Sequence, residues 1–381
     1  MSDRDRSPRL SRSLGLALVS LALPLALTPA VASGVEHPAG TTALPPTRTT
    51  APAADPAAGP AAGPAAGPAA STAASPAPGT ARAARTAPLV ERVDFGAFVP
   101  GMTTDPERLA DWERTAGTDA AVASYYYGYG DVFPAATEER LADDGARDLL
   151  LSWDMGPTRF AEWTAGEHDA YLDQIAAAAR AYPHDVYVRP WPEMNGDWQD
   201  FQPTAAGERR FGGTFREFRL AWRHVVTHLR EAGADNLRWV FNPTADTYAE
   251  TTPVRRIWPG AAYVDVLGLD GFNWGRDAGW GRWRSFGRIF RAQYDHLVAL
   301  APRLPVWICE VASKEPRVDD GAPVDREHSK AAWVRSMLAH RGMPALTTVV
   351  WFDERKERDW RLTSSAGTTR AWRTAARIAA R

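Results

Sequence analysis

The chain has 381 residues, with 44 Lys and Arg against 46 Asp and Glu, for a net charge of −2. That balance gives no basis for a nucleic-acid or anionic-membrane partner. The single cysteine, Cys309, excludes an intramolecular disulfide.

The first 32 residues read as an export signal. Arg4, Arg6, Arg9 and Arg12 make a basic start, an apolar run extends from Leu14 to Leu27, and Ala30-Val31-Ala32 supplies a small-residue cleavage pattern. The run is short for a membrane span, so cleavage would leave no stable membrane insertion. Residues 33–90 contain repeated Ala-Ala-Gly-Pro between Ala57 and Pro68 and almost no large apolar side chain. Such a segment cannot offset the entropy of ordering itself and reads as a disordered linker or wall-spanning stalk. A secreted, extracellular or wall-associated protein is expected.

Residues 91–381 have the length of one large α/β barrel or of two ordinary domains, and in them short apolar runs alternate with amphipathic stretches. Strands are predicted at Val93–Val99, Ala120–Tyr127, Asp148–Trp153, Val186–Arg189, Leu237–Asn242, Val264–Asp270, Val306–Glu310 and Thr347–Phe352. Helices are predicted at Asp105–Thr115, Glu167–Ala181, Phe211–Ala232, Phe286–Leu300, Arg326–Arg341 and Thr369–Ala380. Eight strands with intervening helices predict an α/β fold of the closed (β/α)8 TIM-barrel type. The glycine-rich phosphate turn of an open doubly wound sheet is missing: Gly96-Ala97-Phe98-Val99-Pro100-Gly101 has the wrong spacing.

Active residues of such barrels sit at the carboxyl ends of the strands. Here those ends carry Tyr126, Trp153-Asp154, Glu193, Asn242, Asp270, Glu310 and Trp351. Glu193 and Glu310 lie 117 residues apart, about four strand–helix units, which would set them across one barrel mouth. Paired carboxylates across a sugar-sized gap are what glycosidic bond cleavage requires. All 16 tryptophans lie after residue 90, and indoles both pack cores and stack on sugar rings. Strand alternation places Cys309 on the face opposite Glu310, toward the helices. His224 and His228 have the i, i+4 spacing of metal ligands but lack the glutamate of a zinc-protease helix; they read as surface histidines, and no metal or cofactor is expected.

At this point the domain resembles family 26 of the glycoside hydrolases, best known for β-mannanases. The resemblance rests on Arg189-Pro190 with Glu193-Met194-Asn195-Gly196-Asp197-Trp198, on Tyr263–Trp274, on Val306–Ser313, and on Trp351-Phe352 with Asp359-Trp360-Arg361. It implies a retaining double displacement on a polysaccharide, with β-1,4-mannan leading and β-glucan or xylan next. Glu193 would be the acid/base and Glu310 the nucleophile, with Trp351, Trp198, Trp274, Asn195, Asn273 and Arg189 binding substrate or orienting the glutamates. Trp351 would stack on the sugar at the cleavage subsite. Arg189 reads equally as a barrel ion-pair partner, and Asn195 and Asn273 equally as loop caps. The chain departs from the family pattern at Pro192, where histidine is usual, and at Phe272, where many members have tyrosine. The rival from another class is a non-catalytic carbohydrate-binding barrel. A monomer is expected.

Overall fold

The computed structural model describes residues 86–143, 145–246, 252–275, 281–316 and 328–379. The export-signal reading of residues 1–32 and the linker reading up to residue 85 lie outside the described residues. Eight parallel strands close into one barrel in chain order: β1 Asp94–Phe98, β2 Val122–Tyr127, β3 Asp148–Trp153, β4 Val186–Pro190, β5 Leu237–Phe241, β6 Val266–Asn273, β7 Val306–Ser313 and β8 Leu346–Phe352. Closure is made by β1 against β8, from Asp94 opposite Thr348 to Phe98 opposite Phe352. This is the (β/α)8 architecture expected from the sequence.

The helices are α1 Glu107–Ala116, α2 Ala136–Ala142, α3 Phe160–Thr164, α4 Asp169–Ala181, α5 Phe215–Glu231, α6 Val254–Ile257, α7 Phe286–Leu300, α8 Lys330–Leu338 and α9 Ala366–Ala379. Three of them (α2, α3 and α6) have only four to seven residues and show no period readable in sequence. The longest, α5, starts where Thr214 caps it: the Thr214 hydroxyl accepts from Glu217 N, and the Glu217 carboxylate accepts from Thr214 N at 2.7 Å. Its buried face is Phe218, Ala221, Trp222, Val225, Val226 and Leu229, spaced three and four apart. The folded unit also reaches further back than residue 91, because Leu89, counted with the linker, is fully buried.

Alternation sorts each strand between two cores. On β3, Leu149, Leu151 and Trp153 join the large core beneath the helices, while Leu150 joins a smaller interior cluster with Val122, Val240, Val266, Trp307, Cys309 and Val350. That cluster fills the barrel axis, as stacked side-chain layers do in this architecture. Cys309 therefore faces the barrel interior and not the helices. The sequence expectation fails because β7 is irregular: Leu269 pairs with Ile308, but the next partner of Asp270 is Glu310, so Cys309 is skipped. A bulge of this kind re-aims a side chain. It lets Cys309 fill the axis and still turns Glu310 into the mouth.

Candidate active site

Above the apolar cluster the barrel interior becomes polar. Tyr126 on β2, Ser152 on β3 and Arg189 on β4 stand in register, as do Asp270 on β6 and Glu310 on β7. Arg189 is fully buried and bridges two carboxylates, donating from Nη1 to Asp270 Oδ2 at 2.8 Å and from Nη2 to Glu310 Oε1. The same Glu310 oxygen accepts from the Tyr126 hydroxyl at 2.5 Å. Asp270 Oδ2 also accepts from Asn242 Nδ2 at 2.7 Å. The Asn242 side chain fits because residue 268 is glycine: a Cβ there would lie 2.3 Å from Asn242 Oδ1.

Glu193 sits on the loop after β4, held from three sides. Trp191 N donates to Trp153 O at 3.2 Å, Glu193 N to Asn242 O at 2.9 Å, and Gly196 N to Glu193 O at 2.8 Å. Trp191 and Glu193 both adopt left-handed backbone, at φ 48° and 53°. Each such residue costs roughly 1–2 kcal/mol. Burial of Trp191 against Phe160, Trp163, Phe218 and Trp222 offsets that cost. The result is a carboxylate aimed by strain in the loop and by packing behind it. Glu193 Oε2 accepts from the indole N–H of Trp198 at 3.0 Å. Trp198 itself is 45 % exposed at the rim.

The surroundings act strongly on the proton affinity of Glu193. Burial, then the negative charge of Glu310, push Glu193 up to about 7, against the pull of the Trp198 N–H and of Arg189. Burial and Glu310 likewise hold the Tyr126 phenol well above its ordinary range, so it stays a neutral donor. Burial drives Asp270 upward against the pull of Arg189. For Arg189, burial lowers the affinity for its proton, but Asp270 and Glu310 outweigh that and keep it charged. One fixed cation thus serves a cluster of three carboxylates, and one group in that cluster, Glu193, exchanges its proton near neutrality.

The structure thus brings Glu193, Glu310, Arg189 and Trp198 together. Arg189 fills both roles left open by the sequence, ion-pair partner and donor to Glu310. Trp274 is half-buried near the mouth, packed edge-on to Trp360 at 4.9 Å and against Phe272 at 5.9 Å. The other three substrate-binding expectations are corrected. Trp351 is fully buried beneath the helices, edge-on to Trp333 and Trp372, and offers no face to a sugar. Its neighbour on β8, Val350, belongs instead to the interior cluster. Asn195 is buried with both ends of its amide committed to Thr244, accepting at 2.7 Å and donating at 3.1 Å. Asn273 is also buried, donating to Ser313 Oγ and accepting from Arg284 N, both at 2.9 Å. Both asparagines brace loops. Tyr126 and Asn242 belong to the site although no role was read for them; their place at strand ends was the available signal.

Residues 164–332 match the family described as glycosyl hydrolase family 26. The chain is similar to Endoglucanase H of Acetivibrio thermocellus, at 33 % identity over 230 residues covering 60 % of this chain and 24 % of that protein. It is similar to a mannan endo-1,4-beta-mannosidase of Bacillus subtilis, at 33 % identity over 109 residues covering 27 % of this chain and 28 % of that protein. The chain spans about a quarter of the length of these curated relatives. Among solved structures, a β-mannanase of Bacteroides ovatus superposes with a TM-score of 0.50 at 16 % identity, covering 78 % of this chain and 93 % of that one. That likeness concerns the fold.

Proposed function

We propose that this chain, whose residues 164–332 match glycosyl hydrolase family 26, hydrolyses a β-linked polysaccharide of the glucan or mannan type with retention of configuration. The observation that carries this reading is the division of labour between the two glutamates. Glu310 is held by Arg189 and Tyr126, both of which donate to the same oxygen and fix the carboxylate in place as the nucleophile. Glu193 is raised to about 7, the range suited to a group that first gives and then takes a proton. Glu310 attacks the anomeric carbon while Glu193 protonates the departing glycosidic oxygen. Glu193 then deprotonates a water that attacks the glycosyl–Glu310 ester, releasing the sugar and restoring both carboxyls.

Within this class we favour β-glucan over the β-1,4-mannan expected from the resemblance. The match to the relative named Endoglucanase H covers more than twice as much of this chain as the match to the mannosidase. Pro192 has no side-chain donor for a sugar hydroxyl, and Phe272 turns an apolar ring to Phe352 and Trp360. The basic and apolar start of the chain supports export, with residues 33–85 as a tether and the barrel acting as a monomer.

Reducing-end release from mixed-linkage glucan, β-1,3-glucan, xylan and mannan tests the substrate, and Glu310→Gln tests the mechanism. Turnover on glucan, abolished in Glu310→Gln with polysaccharide binding spared, is expected. Faster turnover on mannan would reverse the order of substrates. Binding without release on every polymer would establish the carbohydrate-binding rival.

A further inference from the structure

Asp169 and Asp173 lie one turn apart on α4, and His224 and His228 lie one turn apart on α5. The two outer helices pack so that these side chains meet. Asp169 Oδ1 stands 2.6 Å from His224 Nε2 and 3.6 Å from His228 Nδ1, while Asp173 Oδ1 stands 2.8 Å from His228 Nε2. We propose that Asp169 Oδ1, His224 Nε2 and His228 Nδ1 form a binding site for a divalent transition metal of the zinc class, with Asp173 orienting His228.

The donor set fits this class of ion. Two imidazoles and a carboxylate suit zinc and its neighbours, whereas calcium and magnesium take oxygen ligands almost alone. Ligands held tetrahedrally at about 2.0–2.1 Å from zinc lie roughly 3.3 Å from one another. The three donor atoms here all lie within 4.8 Å of one another, so small side-chain rotations would close the set. The fourth corner would be water, since the three side chains are 35, 26 and 21 % exposed, which also supplies an entry path. Asp173 gives the arrangement its direction. Accepting from Nε2–H of His228, it fixes the tautomer whose Nδ1 lone pair faces Asp169 and His224, as outer carboxylates do at histidine–metal sites. Two hydrogen-bonded His–Asp pairs alone would not need one histidine to present its second nitrogen to the other pair. In sequence only the histidines were visible as a candidate; the carboxylates come from a helix 55 residues earlier.

The test uses the untagged full chain, stripped with a chelator and titrated with Co²⁺, a coloured stand-in for zinc, followed by visible absorption. Thermal unfolding is measured in parallel with and without Zn²⁺. One saturable equivalent of Co²⁺ is expected, displaced by Zn²⁺, with a higher melting temperature in Zn²⁺. The double variant His224→Gln/His228→Gln should lose both signals while keeping its far-ultraviolet circular dichroism. Asp173→Asn should keep the Co²⁺ spectrum but bind about 10–100-fold more weakly. No saturable Co²⁺ signal in the native chain would overturn the proposal. So would an undiminished equivalent in a folded double variant.

Discussion

Tyr126 and Glu310, 184 residues apart in the chain, share a 2.5 Å hydrogen bond across the barrel mouth. Many members of the family that the sequence resembles have a tyrosine in the sixth-strand segment, and this chain has Phe272 there. A phenol reaches the nucleophile candidate all the same, from β2. A hydrogen bond to a charged group contributes about 1.5–3 kcal/mol. Tyr126→Phe is therefore expected to lower turnover roughly 10–100-fold with little change in melting temperature, because the ring stays at the mouth. Unchanged turnover would show that Arg189 alone prepares Glu310.

Glu193 links activity to stability. Its proton affinity rises from 4.5 to about 7 on folding, so the folded state holds the proton more tightly than the unfolded chain does. The associated stability is fully present below pH 4.5 and is lost as pH rises through 7. Glu193→Gln cannot ionise and escapes that loss. Its melting temperature should exceed that of the native protein by a margin that grows between pH 5 and pH 8, while turnover collapses. A margin independent of pH would mean that Glu193 is not raised by its surroundings.

The barrel was legible because alternation and length identify strands buried on both faces: all eight predicted strands are present, with ends shifted by up to three residues. That Glu193 and Glu310 share one barrel mouth was legible too, but they stand three strand–helix units apart, after β4 and on β7, and not four, because the long loops after β4 and β6 lengthen the units between them. Side-chain direction was less so. Cys309 was placed on the wrong face because a bulge, which no residue in Val306–Ser313 announces, breaks the two-residue period. Trp351 was read as a sugar platform from the family resemblance, whereas its side chain takes the face opposite Val350 and lies under the helices. For Asn195 and Asn273 the sequence left sugar contact and loop capping both open, because an amide can bond backbone or sugar equally well, and only tertiary structure shows which. The meeting of α4 with α5 depends on helix packing, which single-chain patterns do not encode.

Arg189 is the one buried cation of the cluster. Replacing it with methionine keeps the volume but leaves Asp270 and Glu310 without their countercharge. Breaking a buried pair on one side costs about 3–5 kcal/mol. For a domain of this size the melting temperature should fall by on the order of 10 °C near neutral pH. The deficit should shrink in acid, where the carboxyls take up protons. Calorimetry across pH checks both. A variant as stable as the native protein at pH 7 would show that the cluster sheds its charge without Arg189.

Trp198 and Gly196 test what sets the proton affinity of Glu193. The Trp198 N–H bonds Glu193 Oε2 at 3.0 Å and favours the ionised form. The indole lies where it does because residue 196 has no side chain: a Cβ there would meet the ring at 2.5 Å. Trp198→Phe removes the donor, so Glu193 should hold its proton to higher pH. The alkaline limb of kcat/KM, which reports the acid of the free enzyme, should move upward. Gly196→Ala keeps the indole but displaces it, and should move the limb in the same direction. The two variants separate the indole's possible roles. If Trp198 also carries a sugar, Trp198→Phe weakens KM as well, whereas a shift in the limb without a change in KM assigns the residue to Glu193 alone. An alkaline limb that stays in place in both variants would mean that burial and the charge of Glu310, without the indole, fix the proton on Glu193.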